Sequence, residues 1–111
     1  MSIAVEIDDL PAAIERQIGW CYLLSVTDAG QARVVAIAPQ WVIGGVLQAE
    51  VGGRTAAKVS ARPEITLVFP PATADGYSLI VDGTAKVAGN VVSFEPFTAV
   101  LHRPAIAGTG S

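Results

Sequence analysis

The sequence predicts a mainly β fold of six antiparallel strands, with one short helix before them and a second inserted after the third strand. Three observations predict it. From Gly19 onward the chain runs in short, apolar, β-favouring segments. Gly-, Asn-, Asp- and Pro-bearing turns separate them. Helical spacing is confined to two short stretches, and strands joined in hairpin order can close as a small barrel, which leaves no exposed sheet edge.

The first helix is read in "DDLPAAIERQIG", residues 8–19. Asp9 stands as N-cap, and Pro11 sits in the first turn, where its missing N–H costs nothing. Leu10, Ile14 and Ile18 recur at four-residue spacing, and Gly19 follows as the C′ residue. "WCYLLSVT" is the first barrel strand and ends at the hairpin signal "DAG". "ARVVAIAPQWVI" is the second and, after "GG", "VLQAEV" is the third. The second helix lies in "GGRTAAKVSARPEI", residues 52–65. Its alanines favour helix, and Pro63 forces Arg62 out of helical geometry. "EITLVFPP" is the fourth strand and "TADG" a loop. "YSLIVDGTAKVAG" is a long fifth strand with a bulge expected at Asp82-Gly83. "GN" turns the chain into the sixth, "VVSFEPFTAVLH". The organisation expected is a single domain over residues 1–105 with a loose tail over 106–111.

At 111 residues the chain is one domain, and 51% of it is apolar against 15% charged. A small domain has much surface for its volume, so part of that apolar surplus is expected in a subunit interface, that of a homodimer. Net charge is −3, and outside residues 52–65 the basic residues are scattered. That argues against duplex nucleic acid as a partner, which needs a broad basic surface. Cys21 is the sole cysteine, so no intrachain disulfide forms, and beside Trp20 it reads as buried, unreactive packing. The opening "MSIAVEIDDL" carries acids where a signal peptide carries lysines. The longest apolar stretch, Val34 to Leu47, contains Pro39 and Gln40 and falls short of a membrane span. The expectation is a soluble cytoplasmic protein with no membrane partner.

Arg54, Lys58 and Arg62 recur every four residues, behind two glycines. Two readings stand: a solvated helix face, or an anion site at a helix N-terminus with free N–H groups. Arg33 interrupts an apolar strand, which puts it on an exposed face or at a subunit seam. His102 is the only histidine, so a triad, a Cys-His dyad or a zinc site would have to be built around it, and no metal is expected. Glu64 and Glu95 each neighbour a proline and read as exposed charges. Trp20, Trp41 and Tyr77 read as core or interface aromatics. No phosphate-binding or dinucleotide glycine motif is present, and no side chain stands out as a general acid or base.

The arrangement of these segments resembles one known family. "DAGQARVVAIAP" carries Arg33-Val34 and Pro39; a basic, hydroxyl-bearing helix follows; then come "ARPEITLVF", with Arg62-Pro63-Glu64-Ile65-Thr66-Leu67, and "VDGTA", Val81 to Ala85. In order and spacing this is similar to the pyridoxamine 5′-phosphate oxidase-like, FMN-binding split-barrel family, in a short branch ending "FTAVLHRPA". The likeness covers Gly19 to Ala105. It implies a six-stranded split β-barrel, a homodimer with the flavin at its seam, and a cofactor phosphate held by Arg33, Arg54, Thr55 and Lys58. The implied activity is that of an FMN-binding, flavin-dependent oxidoreductase with a small-molecule substrate, the cofactor supplying hydride chemistry. Full oxidases of the family add C-terminal strands and a helix bearing Arg and His that contact substrate. This chain ends soon after "HRPA", so pyridoxamine phosphate oxidation is not expected of it. Two alternatives stay open: a reductase using a deazaflavin coenzyme, and a cofactor-free dimeric binding or structural module.

Overall fold

Along Cys21–Val26 (β2) every second residue is buried, and the same alternation runs through Val46–Glu50 (β5), Glu64–Phe69 (β6) and most of Ser78–Ala88 (β7) and Val91–His102 (β8). A period of two is what a sheet packed on one face imposes. The remaining strands of this computed structural model, which describes residues 1–105, are Ser2–Val5 (β1), Ala32–Ile37 (β3) and Gln40–Val42 (β4). The helices are Leu10–Glu15 (α1), preceded by a 3-10 turn at Ile7–Asp9, and Gly53–Ala61 (α2).

All pairings are antiparallel, and the strand order is β3-β2-β6-β7-β8-β5-β4, with β1 added against β8. The two ends of this path, β3 and β4, are consecutive in the chain and separated only by Ala38-Pro39. The backbone itself therefore joins the ends of the sheet. β8 is the longest strand at 12 residues. One of its edges pairs β7; the other is shared between β5, at Val91 to Phe94, and β1, at Ala99 to His102.

Leu23, Leu67, Phe69, Leu79, Val81 and Phe94 fill the interior, with Leu10 of α1 and Val59 of α2 packed in from outside the sheet. The void left among Leu23, Ile37, Leu47, Leu67 and Phe94 holds only about 10 Å³. Small barrels are filled by side chains in this way. The barrel interior therefore has no room for a ligand.

The mainly β, antiparallel architecture with two short helices is the one expected, with eight strands rather than six. The expected second strand is divided at Ala38-Pro39, because Pro39 lacks the N–H that would continue the ladder. Its first half pairs β2 and its second half pairs β5. The other addition is β1, which pairs the far end of β8. The bulge falls at Asp82/Gly83 as expected, but the extra residue is on the facing strand. Asp82 pairs Thr98 and Gly83 pairs Pro96, so Phe97 is unpaired and 56% exposed. A side chain at Gly83 cannot be accommodated: a Cβ there would lie 2.2 Å from the Glu95 carbonyl and 2.7 Å from Phe94 Cζ.

The first helix is shorter than expected. It ends at Glu15, Asp9 makes no side-chain cap, and Ile18 is exposed rather than on the buried face. Tertiary bonds end it: the Gln17 amide donates to the carbonyls of Phe69 (3.1 Å), Pro70 (3.2 Å) and Tyr77 (2.8 Å). Gln17 also bridges to Pro71, so Gly19 is no longer a helix cap. The expected tail, 106–111, lies outside the described residues. Among the described residues no helix is long and apolar enough to cross a membrane.

Candidate functional site

α2 starts where "GG" frees the chain from β5. Gly52 is the extended N-cap residue, no side chain caps the helix, and the Gly52 carbonyl accepts from the Ala56 N–H at 2.9 Å. The N–H groups of its first turn have no acceptor within the helix. Thr55, Ala56 and Val59 are buried against the barrel. At the other end Arg62 leaves helical geometry with φ −132° and ψ 86°, as Pro63 requires. Its Nε meets Asp28 Oδ1 at 3.3 Å, tying the end of α2 to the β2–β3 turn.

β3 pairs β2 along one edge and, among the described residues, has no strand partner along the other. Alternate N–H and C=O groups of an edge strand face outward and stay available. Beside β3 lie the end of β5 and the start of α2. A slit of about 480 Å³ separates them, lined by Val35 and Ile37 of β3 and by Glu50, Val51, Gly52 and Thr55. A second depression of about 480 Å³ adjoins it across the outer face of β4 and β5, lined by Gln40, Val42, Gln48, Glu50 and Val91. Glu50 belongs to both. In this second half Gln40, Gln48, Ser93 and Lys86 stand in register across four strands, and Gln48 Nε2 donates to Ser93 Oγ at 3.1 Å.

Thr55 lines the slit. Arg54, its neighbour, is exposed at the start of the helix. Arg33 is two residues along β3 from Val35, on the same strand face. Its guanidinium donates to Gln31 Oε1 at 2.9 Å and to the Ala32 carbonyl at 3.2 Å. No hydrogen bond joins it to α2 among the described residues. Lys58 lines a different depression, of about 250 Å³, with Thr27, Asp28 and Arg62. Of the four expected phosphate contacts only Thr55 lines the slit; Arg54 follows at the exposed start of the helix, Arg33 is turned to Gln31 and Ala32, and Lys58 stands beside the Arg62–Asp28 pair. Sequence reasoning passed over Gln40, Gln48 and Glu50. Their signal was present: polar side chains at alternating positions in an otherwise apolar run.

The opposite outer face has another character. Ala36, Tyr22, Val68, Ile80, Val100 and Ala4 stand in register across β3, β2, β6, β7, β8 and β1. Val34 and Val26 extend the patch and are exposed, and Trp20 packs edge-on against Tyr22 at 4.9 Å. The Thr66 hydroxyl donates to Asp82 at its border. Cys21 is fully buried beneath this face, and burial pushes its thiol up to about 12. His102 Nδ1 is hydrogen-bonded to Ser2 Oγ at 3.0 Å, which ties β1 to β8, and Arg103 stacks on the Tyr77 ring at 4.7 Å. Among the described residues no three His, Cys, Asp or Glu side chains gather as a metal site needs.

No protein-family model matches the sequence. Two curated relatives do, both uncharacterized proteins, one from Mycobacterium bovis (strain ATCC BAA-935 / AF2122/97) and one from Mycobacterium tuberculosis (strain CDC 1551 / Oshkosh). Each is 32% identical to this chain, over 91% of it and 82% of its own length. Among solved structures, an F420 reductase is similar with a TM-score of 0.63 and 13% identity, covering 78% of this chain and 93% of its own. An FAD-binding protein from Mycobacterium smegmatis gives 0.67 at 12% identity, over 93% of this chain and 100% of its own. An FAD-binding protein from Mesorhizobium loti gives 0.63 at 14%, over 94% and 98%. At such identities the likeness is one of fold: a split-barrel-like antiparallel sheet with two short helices.

Proposed function

The chain belongs to the family of the two mycobacterial proteins, and from that premise we propose that it binds a flavin-type cofactor, FMN in the first instance, in the slit between β3 and α2. The observation that carries this reading is the meeting of two open sets of backbone groups. The unpaired edge of β3 suits the polar edge of a planar ring. The uncapped N-terminus of α2 suits a phosphate. In this reading Thr55 offers a hydroxyl inside the slit and Arg54 a two-pronged hydrogen bond at the helix start, while Arg33 and Lys58 reach the ligand by turning in from outside the slit's lining.

The filled interior supports a reading in which the cofactor sits in the outer groove. A second copy of the chain, docked on the apolar face around Tyr22 and Val34, makes the homodimer that a split barrel of this kind uses. When bound, the flavin supplies hydride chemistry toward a small-molecule substrate. The chain's own residues bind, orient and exclude water. In this reading the protein is a cytoplasmic, flavin-dependent oxidoreductase with no nucleic-acid partner. The likeness to an F420 reductase supports a deazaflavin coenzyme as the second reading.

The test is the absorption spectrum of the purified protein, followed by calorimetric titration with FMN and with F420. Saturable binding of FMN with one site per chain is the expected result. Binding of F420 alone selects the deazaflavin reading. Binding of neither leaves a cofactor-free dimeric module.

A further inference from the structure

Glu50 lines both halves of the groove, and its place there gives the groove a chemical order. On one side stand the amides of Gln40 and Gln48, uncharged and able both to donate and to accept. On the other stand Gly52, Thr55 and the free N–H groups of the α2 N-terminus, suited to negative charge. Between them is a carboxylate, which repels a phosphate and accepts hydrogen bonds.

The backbone below Glu50 is pinned. Glu50 pairs Val91 of β8, and the next N–H, that of Val51, donates to the Asn90 carbonyl at 2.9 Å. Among the described residues the one ion pair is Arg62 with Asp28, so no cation neutralises Glu50. A carboxylate held on a fixed strand end and lacking a cationic partner is suited to O–H donors.

We propose that Glu50 is a specificity-determining residue that reads the hydroxylated chain linking the ring of the cofactor to its phosphate, accepting hydrogen bonds from that chain's hydroxyls. The inference rests on the flavin-type reading of the same groove. It is indifferent to the choice between FMN and a deazaflavin, since both carry a polyol between ring and phosphate. It also keeps the phosphate at α2, on the far side of Glu50 from Gln40 and Gln48.

The test compares three probes, FMN, riboflavin and lumiflavin, the last having the same ring with a methyl group in place of the polyol. Affinities are read by quenching of flavin fluorescence on the full chain. Glu50→Ala is expected to weaken riboflavin about tenfold, the scale of one charge-assisted hydrogen bond, while changing lumiflavin by less than about twofold. Glu50→Gln keeps an acceptor and is expected to fall between Ala and the unmutated protein. Both variants are expected to melt as the unmutated protein does, because Glu50 is exposed. Equal loss for riboflavin and lumiflavin, or no loss for either while FMN still binds, overturns the role of Glu50 and leaves the flavin reading standing. Failure of the unmutated protein to bind any of the three removes both.

Discussion

The outer surface of the sheet has two halves that share one core. In one half the row Ala36, Tyr22, Val68, Ile80, Val100 and Ala4 is apolar from edge to edge. In the other, Gln40, Gln48, Ser93 and Lys86 occupy the equivalent outward positions. Beneath both, the inward residues are mostly leucine, valine, isoleucine, phenylalanine and alanine, with Cys21 and Ser25 of β2 among them. The inward set makes the barrel. What separates the halves is what each asks to be covered by. An apolar sheet face gains roughly 25 cal/mol for each Å² taken out of water, which favours another protein surface. A polar, concave face gains little from that and suits a ligand with groups to match. The border between them is physical. β8 changes edge partner from β5 to β1 between Phe94 and Ala99, and the bulge at Phe97 falls in that interval.

The strongest way to break this contrast is to remove the border. Gly83→Ala puts a Cβ against the Glu95 carbonyl, on backbone that cannot rotate away. The expected cost is about 3 kcal/mol or more, with the loss of both faces together, measured by thermal or urea unfolding. A variant that melts like the unmutated protein would mean that β7 and β8 can shift without consequence.

A single charge should break the apolar half alone. Tyr22→Glu is expected to weaken self-association by about a hundredfold or more while leaving the monomer fold intact, because the side chain already faces outward. Sedimentation equilibrium with circular dichroism checks both parts. An unmutated protein that sediments as a monomer at micromolar concentration removes the interface from this face.

The polar half is sharpened by a smaller effect. Arg33→Ala and Arg54→Ala are each expected to weaken FMN about tenfold, Lys58→Ala less, and Arg62→Ala hardly at all, since its guanidinium already meets Asp28. Calorimetry on the four variants gives the ranking. Equal small losses throughout would mark a diffuse surface charge rather than a site.

The effect with no bearing on either face at neutral pH belongs to the core that both halves share. Cys21 should resist a thiol reagent in the native protein at neutral pH, and label rapidly once unfolded. Its ordinary value of 9.0 is raised to about 12, so the unfolded state loses the proton first. Stability should therefore fall as pH rises from about 9 toward 12, and Cys21→Val should flatten that part of the profile. Rapid labelling of folded protein would show that β2 opens locally.

The strands were legible because β-favouring apolar runs and the turn residues that bound them are local signals. So was α2, because Gly52-Gly53 and Pro63 mark its ends within the helix's own sequence. β1 was not, since "SIAV" is four residues long and its partner, Ala99 to His102, lies at the far end of the chain. The early end of α1 was not, because it depends on carbonyls that residues 69, 70 and 77 supply to Gln17. Pro39 was visible, but that the strand divides there to close the sheet is a matter of pairing. The position of Arg54 and Thr55 at the start of α2 was legible from the two glycines before them. Glu50 was not singled out: its alternation with Gln48 marks an outward position, and only the slit beside it gives that position a use.

β8 gives the protein a schedule as well as a shape. β1, β5 and β7 all pair with residues 91–102, a strand the ribosome makes after all of them. Until it emerges, β7 and β5 each lack a neighbour and β1 has nothing to pair with, so the nascent chain carries open, apolar edges. Synthesis at about 5–20 residues per second leaves them exposed for seconds. The pairing of Ser2 with His102 then closes nearly the whole chain in one loop, the kind of non-local contact that slows folding. Expression in cells depleted of ribosome-bound chaperones should therefore lower the soluble yield of this protein more than that of a helical domain of equal length.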